Sequence, residues 1–155
     1  MTGAPYIAVI GPGRADQPQL DEAESVGRAL AEAGAVVVCG GLGGVMEAAC
    51  RGAREAGGTT LGLLPGSDRS AANAWVSVAV PTGLGEARNA LVVRAADAVV
   101  AVAGEYGTLS EIALALKAGK PVVGVGTWDL GRDPDPISRA HDGVEAATLA
   151  LDAVR

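Results

Sequence analysis

The feature that most constrains this chain is an alternation. Short apolar runs that stop at glycine take turns with longer amphipathic segments along its whole length. "YIAVIG" (Tyr6–Gly11) has the continuous apolar character of a strand buried on both faces of a parallel sheet. "QLDEAESVGRALAEAG" follows with helical spacing, placing Leu20, Ala23, Val26, Ala29 and Leu30 on one side and Gly34 at the C-terminal cap. "AVVVCG", "TTLGLLPG", "AWVSVAVP", "DAVVAVAG" and "PVVGVG" read as further strands. "GGVMEAACRGAREAG", "EARNALVVRAA", "TLSEIALALKAG" and "HDGVEAATLALDAVR" read as helices. Alternating β and α elements imply an α/β fold: a doubly wound, mainly parallel sheet with helices on both faces, in one domain spanning residues 1–155. Ligands of such sheets sit beyond the carboxyl ends of the strands. The loops "GPGRADQP", "GGLGG", "LPGSDRS", "PTGLGEARN" and "AGEYGT" all fall at that edge.

Composition narrows the function. With 18 acidic against 12 basic residues and no Lys/Arg block, nucleic-acid binding is disfavoured, although one local basic pocket stays open. No apolar run reaches the roughly 18 residues that a membrane span needs. The opening "MTGAPYIAVIG" lacks a charged n-region, so no signal peptide and a cytoplasmic address are expected. Cys39 and Cys50 form no CxxC, so no protein-held metal is expected and buried free thiols are the better reading.

The loops carry the chemistry. Gly40, Gly41, Gly43 and Gly44 stand in "CGGLGGVME" between a strand and a helix, where backbone N–H groups and the helix N-terminus favour an anion. A tight turn explains some of these glycines but does not need four. Gly11 and Gly13 in "GPGRAD" belong to the same edge, yet neither loop is GxGxxG or GxxxxGK[ST]. Arg88 stands in the first turn of a helix, where the dipole disfavours a cation, and an anion for its guanidinium to clamp would explain the placement. Asn89 beside it is a candidate for a sugar or base contact, and Tyr106 for base stacking or loop closure. Thr108 and Glu111 have the T-x-x-E spacing of a capping box, which by itself accounts for Glu111. Schiff-base chemistry is disfavoured because the only lysines, Lys117 and Lys120, fall at the far end of a helix. A Ser-His-Asp triad is disfavoured because the sole histidine, His141, is expected away from the loop edge.

Taken together, "GGLGGVMEAACRGAREAGG", "GEARNALVVRAADAVVAVAG" and "YGTLSEIALALKAGKPV" resemble the LOG-like superfamily of Rossmann-type nucleotide-binding proteins. The resemblance covers roughly Tyr6 to Trp128 and implies a Rossmann-like fold. Its members include cytokinin riboside 5′-monophosphate phosphoribohydrolases and molybdenum cofactor carrier proteins; some carry lysine decarboxylase labels. The enzymes have PGGxGTxxE, which Gly104, Gly107, Thr108 and Glu111 match, and an upstream helix arginine, which Arg88 matches. Arg88 and Glu111 are the catalytic pair that the resemblance implies. Ala103 stands where the motif has proline, and Glu105 where it has its second glycine. A carboxylate there repels phosphate but can accept hydrogen bonds from a ribose or a pterin. The chain looks closer to the carrier branch.

Two functions follow. The first is a binding protein for a phosphorylated, nucleotide-like ligand, either molybdenum cofactor or a nucleoside monophosphate, with no resident cofactor required. The second is a nucleoside 5′-monophosphate phosphoribohydrolase. The resemblance also implies a homodimer or homotetramer, with "ALVVRAADA" as a candidate contact face.

Overall fold

The computed structural model describes residues 3–155; Met1 and Thr2, part of the segment read for a signal, lie outside it. Seven strands form one sheet in the order β4-β3-β2-β1-β5-β6-β7, and every neighbouring pair is parallel. They are β1 (Tyr6–Ile10), β2 (Val36–Cys39), β3 (Thr60–Leu64), β4 (Val78–Pro81), β5 (Ala98–Val102), β6 (Val122–Val125) and β7 (Ser138–Arg139). The helices are α1 (Gln17–Glu32), α2 (Val45–Glu55), α3 (Arg88–Ala95), α4 (Tyr106–Lys117) and α5 (Gly143–Ala153). The expected α/β architecture, doubly wound and Rossmann-like, is the one found.

The apolar runs are buried because they lie between two helical layers. All five residues of β5 and all four of β6 are buried. On one face Ile7, Val9, Val37, Val100 and Val123 pack with α1, α2 and α5. On the other, Ala8, Ile10, Val38, Val99 and Ala101 pack with Val92 and Val93 of α3 and Ile112 and Ala115 of α4. The strand period of two assigns neighbouring residues to opposite layers.

Helix ends shift by two residues at several places, and three differences from the sequence reading matter for the site. The run "AWVSVAVP" yields only Val78–Pro81 as strand, because Trp75 and Val76 turn inward over Cys39, Met46 and Cys50. β7 is two residues long, too short for any periodicity to register. Helix α4 begins two residues earlier than expected, at Tyr106.

Helices α1 and α2 approach closely because two glycines face the partner backbone. A Cβ on Gly27 would stand 1.9 Å from the Ala49 carbonyl oxygen, and one on Gly52 would stand 2.1 Å from that of Glu24. Gly27→Ala would gain helix propensity of about 1 kcal/mol. The clash is with backbone and cannot relax by a rotamer change, so overpacking of up to about 3 kcal/mol outweighs that gain. The expected outcome is a melting temperature lower by roughly 4–8 °C in a circular-dichroism melt.

Candidate functional site

The strand order reverses between β1 and β5, so the connections leave in opposite directions and open a crevice at their carboxyl ends. A cleft of about 350 Å³ lies there. Of the expected residues, Gly11, Gly13, Arg88, Asn89, Glu105, Gly107, Thr108 and Glu111 line it. An adjoining shelf over Met46 brings in Gly43 and Arg14. A larger hollow of about 1130 Å³ lies at the opposite edge, where the strands begin, beside Tyr6, Asp97 and the end of α5. No glycine-rich loop or buried charge converges on it, and the argument from the parallel sheet favours the smaller cleft.

Arg88 opens α3 and is only 9% exposed. It can fold down because Gly40, at the end of β2, has no side chain: a Cβ there would stand 2.5 Å from Arg88 Nη1. Nη1 donates to Asn89 Oδ1 (2.8 Å), and the buried Nε has no partner. Asn89 Nδ2 donates to Ser110 Oγ (3.3 Å), which donates to the Gly107 carbonyl (2.7 Å). This chain of contacts ties α3 to the first turn of α4.

Glu111 is 7% exposed, and it is not the capping residue that the T-x-x-E spacing predicts. With the helix starting at Tyr106, Glu105 occupies the N-cap and Thr108 lies inside the first turn. The Glu105 N–H donates to Thr108 Oγ1 (3.4 Å), leaving Glu111 free to line the cleft. The earlier start is fixed by tertiary contact: Trp128 covers Gly104, and its Nε1 donates to the Glu105 carbonyl (3.1 Å). Ala103 turns the chain there with φ of 55°, a left-handed conformation that proline cannot adopt. Burial pushes the Glu111 carboxyl up to about 7, with the positive charge of Arg88 pulling it down more weakly.

The other expected residues are placed as follows. Tyr106 is 79% exposed and stacks on Trp128 with ring centres 5.8 Å apart. It borders a groove between α3 and α4 rather than the cleft itself. Gly44 faces a charged hollow beside Arg14, Glu47 and Arg51. Gly41 packs over Leu64 and Gly104 over Trp128, so both serve close packing, as Gly40 does. The cleft also includes Pro12, Met46, Pro65, Gly85 and Glu86. All of these stand in or just beyond the loop motifs, but in a spacing that does not mark them.

Lys120 caps α3, donating to the carbonyls of Val93 (2.8 Å), Arg94 (3.0 Å) and Ala96. His141 follows β7 and therefore does lie at the carboxyl edge, contrary to expectation, because β7 itself was not legible. Its exposed ring contacts Glu145 and not the cleft. Among the described residues, no three His, Cys, Asp or Glu side chains are grouped to hold a metal ion. Among them, too, no helix is long and apolar enough to cross a membrane.

Comparison with known proteins gives a consistent result. Residues 4–149 match the model of the SLOG cluster4 family. An uncharacterized protein of Archaeoglobus fulgidus is 45% identical over 116 residues, covering 75% of this chain and 76% of that protein. The molybdenum cofactor binding protein of the phototrophic bacterium Rippkaea orientalis superposes with a TM-score of 0.93 at 35% identity, covering both chains fully. The molybdenum cofactor carrier protein of Chlamydomonas reinhardtii superposes with a TM-score of 0.88 at 39% identity, over 98% of each chain.

The buried carboxyl has a consequence for stability. Glu111 binds its proton more tightly folded than unfolded, so its contribution is fully present below the unfolded value of 4.5 and is lost as pH rises to about 7. The loss is about 3 kcal/mol. Glu111→Gln should flatten this part of the stability-pH profile and exceed the wild type in stability at pH 8, as read by urea denaturation across pH 4–8. An unchanged slope would show that Glu111 titrates normally.

Proposed function

The chain belongs to the SLOG cluster4 family, and from that premise we propose that its cleft binds a phosphorylated pterin- or nucleotide-like ligand, molybdenum cofactor first among them. Arg88 carries the reading. An arginine buried to this degree with an unpaired Nε is costly unless an anion completes its hydrogen bonds. A phosphate offers the planar guanidinium two parallel acceptors, a match that a lysine could not make. The N-terminal turn of α4, with Gly107 and Thr108 in the lining of the same cleft, adds the partial positive charge of a helix start.

Glu105 decides the orientation. Its carboxylate on the cleft wall repels phosphate, so the phosphate goes to Arg88 and donor groups of the ligand, ribose hydroxyls or pterin N–H, go to Glu105. Two solved structures similar to this one are of a molybdenum cofactor binding protein and a molybdenum cofactor carrier protein, which supports cargo binding. The α3–α4 face exposes Leu91 and Leu114 and is the proposed contact in a homodimer or homotetramer. A cytoplasmic site of action belongs to the same reading.

A second reading rests on Glu111. A carboxyl held near 7 beside an arginine is suited to accept a proton from water or to stabilise an oxocarbenium-like sugar. That is the phosphoribohydrolase role. Ala103 weighs against it, because a proline at its position, as the enzyme motif has, cannot take its φ of 55°. The loop path of the enzymes therefore differs from the one here.

Binding without turnover is the expected behaviour. Molybdenum cofactor freshly released from a molybdoenzyme should co-elute with the protein, and Arg88→Ala should weaken retention by about 10- to 100-fold, the worth of a charged hydrogen-bond pair. Equal retention by the variant would remove Arg88 as the anchor. AMP, GMP, CMP and UMP incubated with the protein should stay intact by chromatography. Free base released by the wild type and not by Glu111→Gln would establish the hydrolase instead.

A further inference from the structure

We propose that Cys39 and Cys50 form a reversible redox pair, closing to a disulfide beneath the glycine loop when the protein meets a peroxide. The sulfur atoms are 3.4 Å apart, and both residues are completely buried. A disulfide holds its sulfurs at about 2.05 Å, so closure asks for about 1.4 Å of approach. The approach is between the end of β2, which carries Cys39, and α2, which carries Cys50.

The surroundings distinguish the two sulfurs. Gly41 N–H donates to Cys39 Sγ at 3.3 Å, and the Arg88 guanidinium lies against Gly40, the next residue. These groups, with the thiol of Cys50 as the leading donor, hold Cys39 below the usual thiol range. The same contact and burial hold Cys50 above it. Cys39 is therefore the nucleophile and Cys50 the resolving thiol. The Cys39 thiolate attacks one peroxide oxygen and becomes a sulfenic acid, and the other oxygen leaves as water after taking up a proton. The Cys50 thiol then attacks that sulfur, and the sulfenic oxygen leaves as a second water. Two thiols and one peroxide give one disulfide and two waters. Peroxide is scarcely larger than water, and Met46, which packs with both cysteines, also lines the cleft, so the route to the pair runs past its side chain.

The bond would tie α2 to β2 across the segment 40–44, in which Gly40 lies under the Arg88 guanidinium of the cleft and Gly43 lines the shelf beside it. Oxidation would thus stiffen the cleft wall, which gives the pair a role beyond packing. The inference does not depend on the identity of the ligand.

The test uses the full chain, reduced and then exposed to a modest excess of hydrogen peroxide, denatured, alkylated and mapped by mass spectrometry. The expected product is a monomer lighter by two hydrogens, with Cys39 and Cys50 in one cross-linked peptide, reversed by dithiothreitol. Its amides from Gly41 to Met46 should exchange more slowly, and its melting temperature should rise by roughly 5 °C or more. In Cys50→Ser, which keeps a donor to Cys39 but cannot close the bond, a sulfenic acid trapped by dimedone should appear on Cys39; where that variant does not fold, mapping of the wild type decides alone. Two thiols still open to alkylation, separate sulfinic acids, or a cross-link between copies would overturn the pair. A disulfide that leaves exchange unchanged would overturn its coupling to the cleft.

Discussion

The reversal of strand order between β1 and β5 is the constraint from which the site follows. Right-handed crossovers leave β1 toward β2 on one side and enter β6 from β5 on the other, so the loops after β1 and β5 diverge instead of covering each other. Into that gap α3 delivers Arg88 and α4 delivers Glu111. The end of β2 supplies the third wall, and it does so through two adjacent residues. Strand alternation turns Cys39 toward α2, where it meets Cys50, and Gly40 toward α3, where it receives Arg88. A single dipeptide thus positions a thiol pair in one layer and a buried cation in the other.

Most of the architecture is legible because parallel strands buried on both faces must be continuously apolar and must end in loops. "AVVAV" and "VVGV" cannot be read otherwise, and helix α1 announces itself by period and by Gly34. What escapes is decided by contacts distant in the chain. "EYGTLSE" offers two helix starts, Glu105 with Thr108 or Thr108 with Glu111, and local chemistry does not choose between them. Trp128, 23 residues further on, chooses the first by fixing the Glu105 carbonyl. The burial of Arg88 is equally remote, because it depends on the absence of a side chain at Gly40, the residue against which its guanidinium lies. β7 has no pattern at all, and its loss from the sequence reading is what misplaced His141 relative to the loop edge.

Magnitudes show where the fold gives up stability. A domain's net stability is of order 5–15 kcal/mol. Holding the Glu111 carboxyl ionised in its buried site costs about 3 kcal/mol above pH 7, and a left-handed Ala103 costs about 1–2 kcal/mol. Both sit at the carboxyl edge, within the same strand-to-helix connection or the turns just beyond it. The rest of the sheet shows neither a strained non-glycine residue nor a buried carboxylate among the described residues.

That concentration separates the two halves of the molecule. The α1–α2 pair, interlocked through Gly27 and Gly52, has no slack and no buried charge. The α3–α4 pair holds a nearly buried guanidinium, tied through Asn89 and Ser110 to the first turn of α4, and a buried carboxyl on the same cleft, and the guanidinium Nε has no acceptor. An anion seated on Arg88 would supply that acceptor. It would act oppositely on the two ionised groups, satisfying the cation and opposing the carboxylate, so occupancy would favour a protonated Glu111. An anion bound on Arg88 and the proton on Glu111 would therefore be linked, with a sign set by placing one arginine and one glutamate on the same cleft.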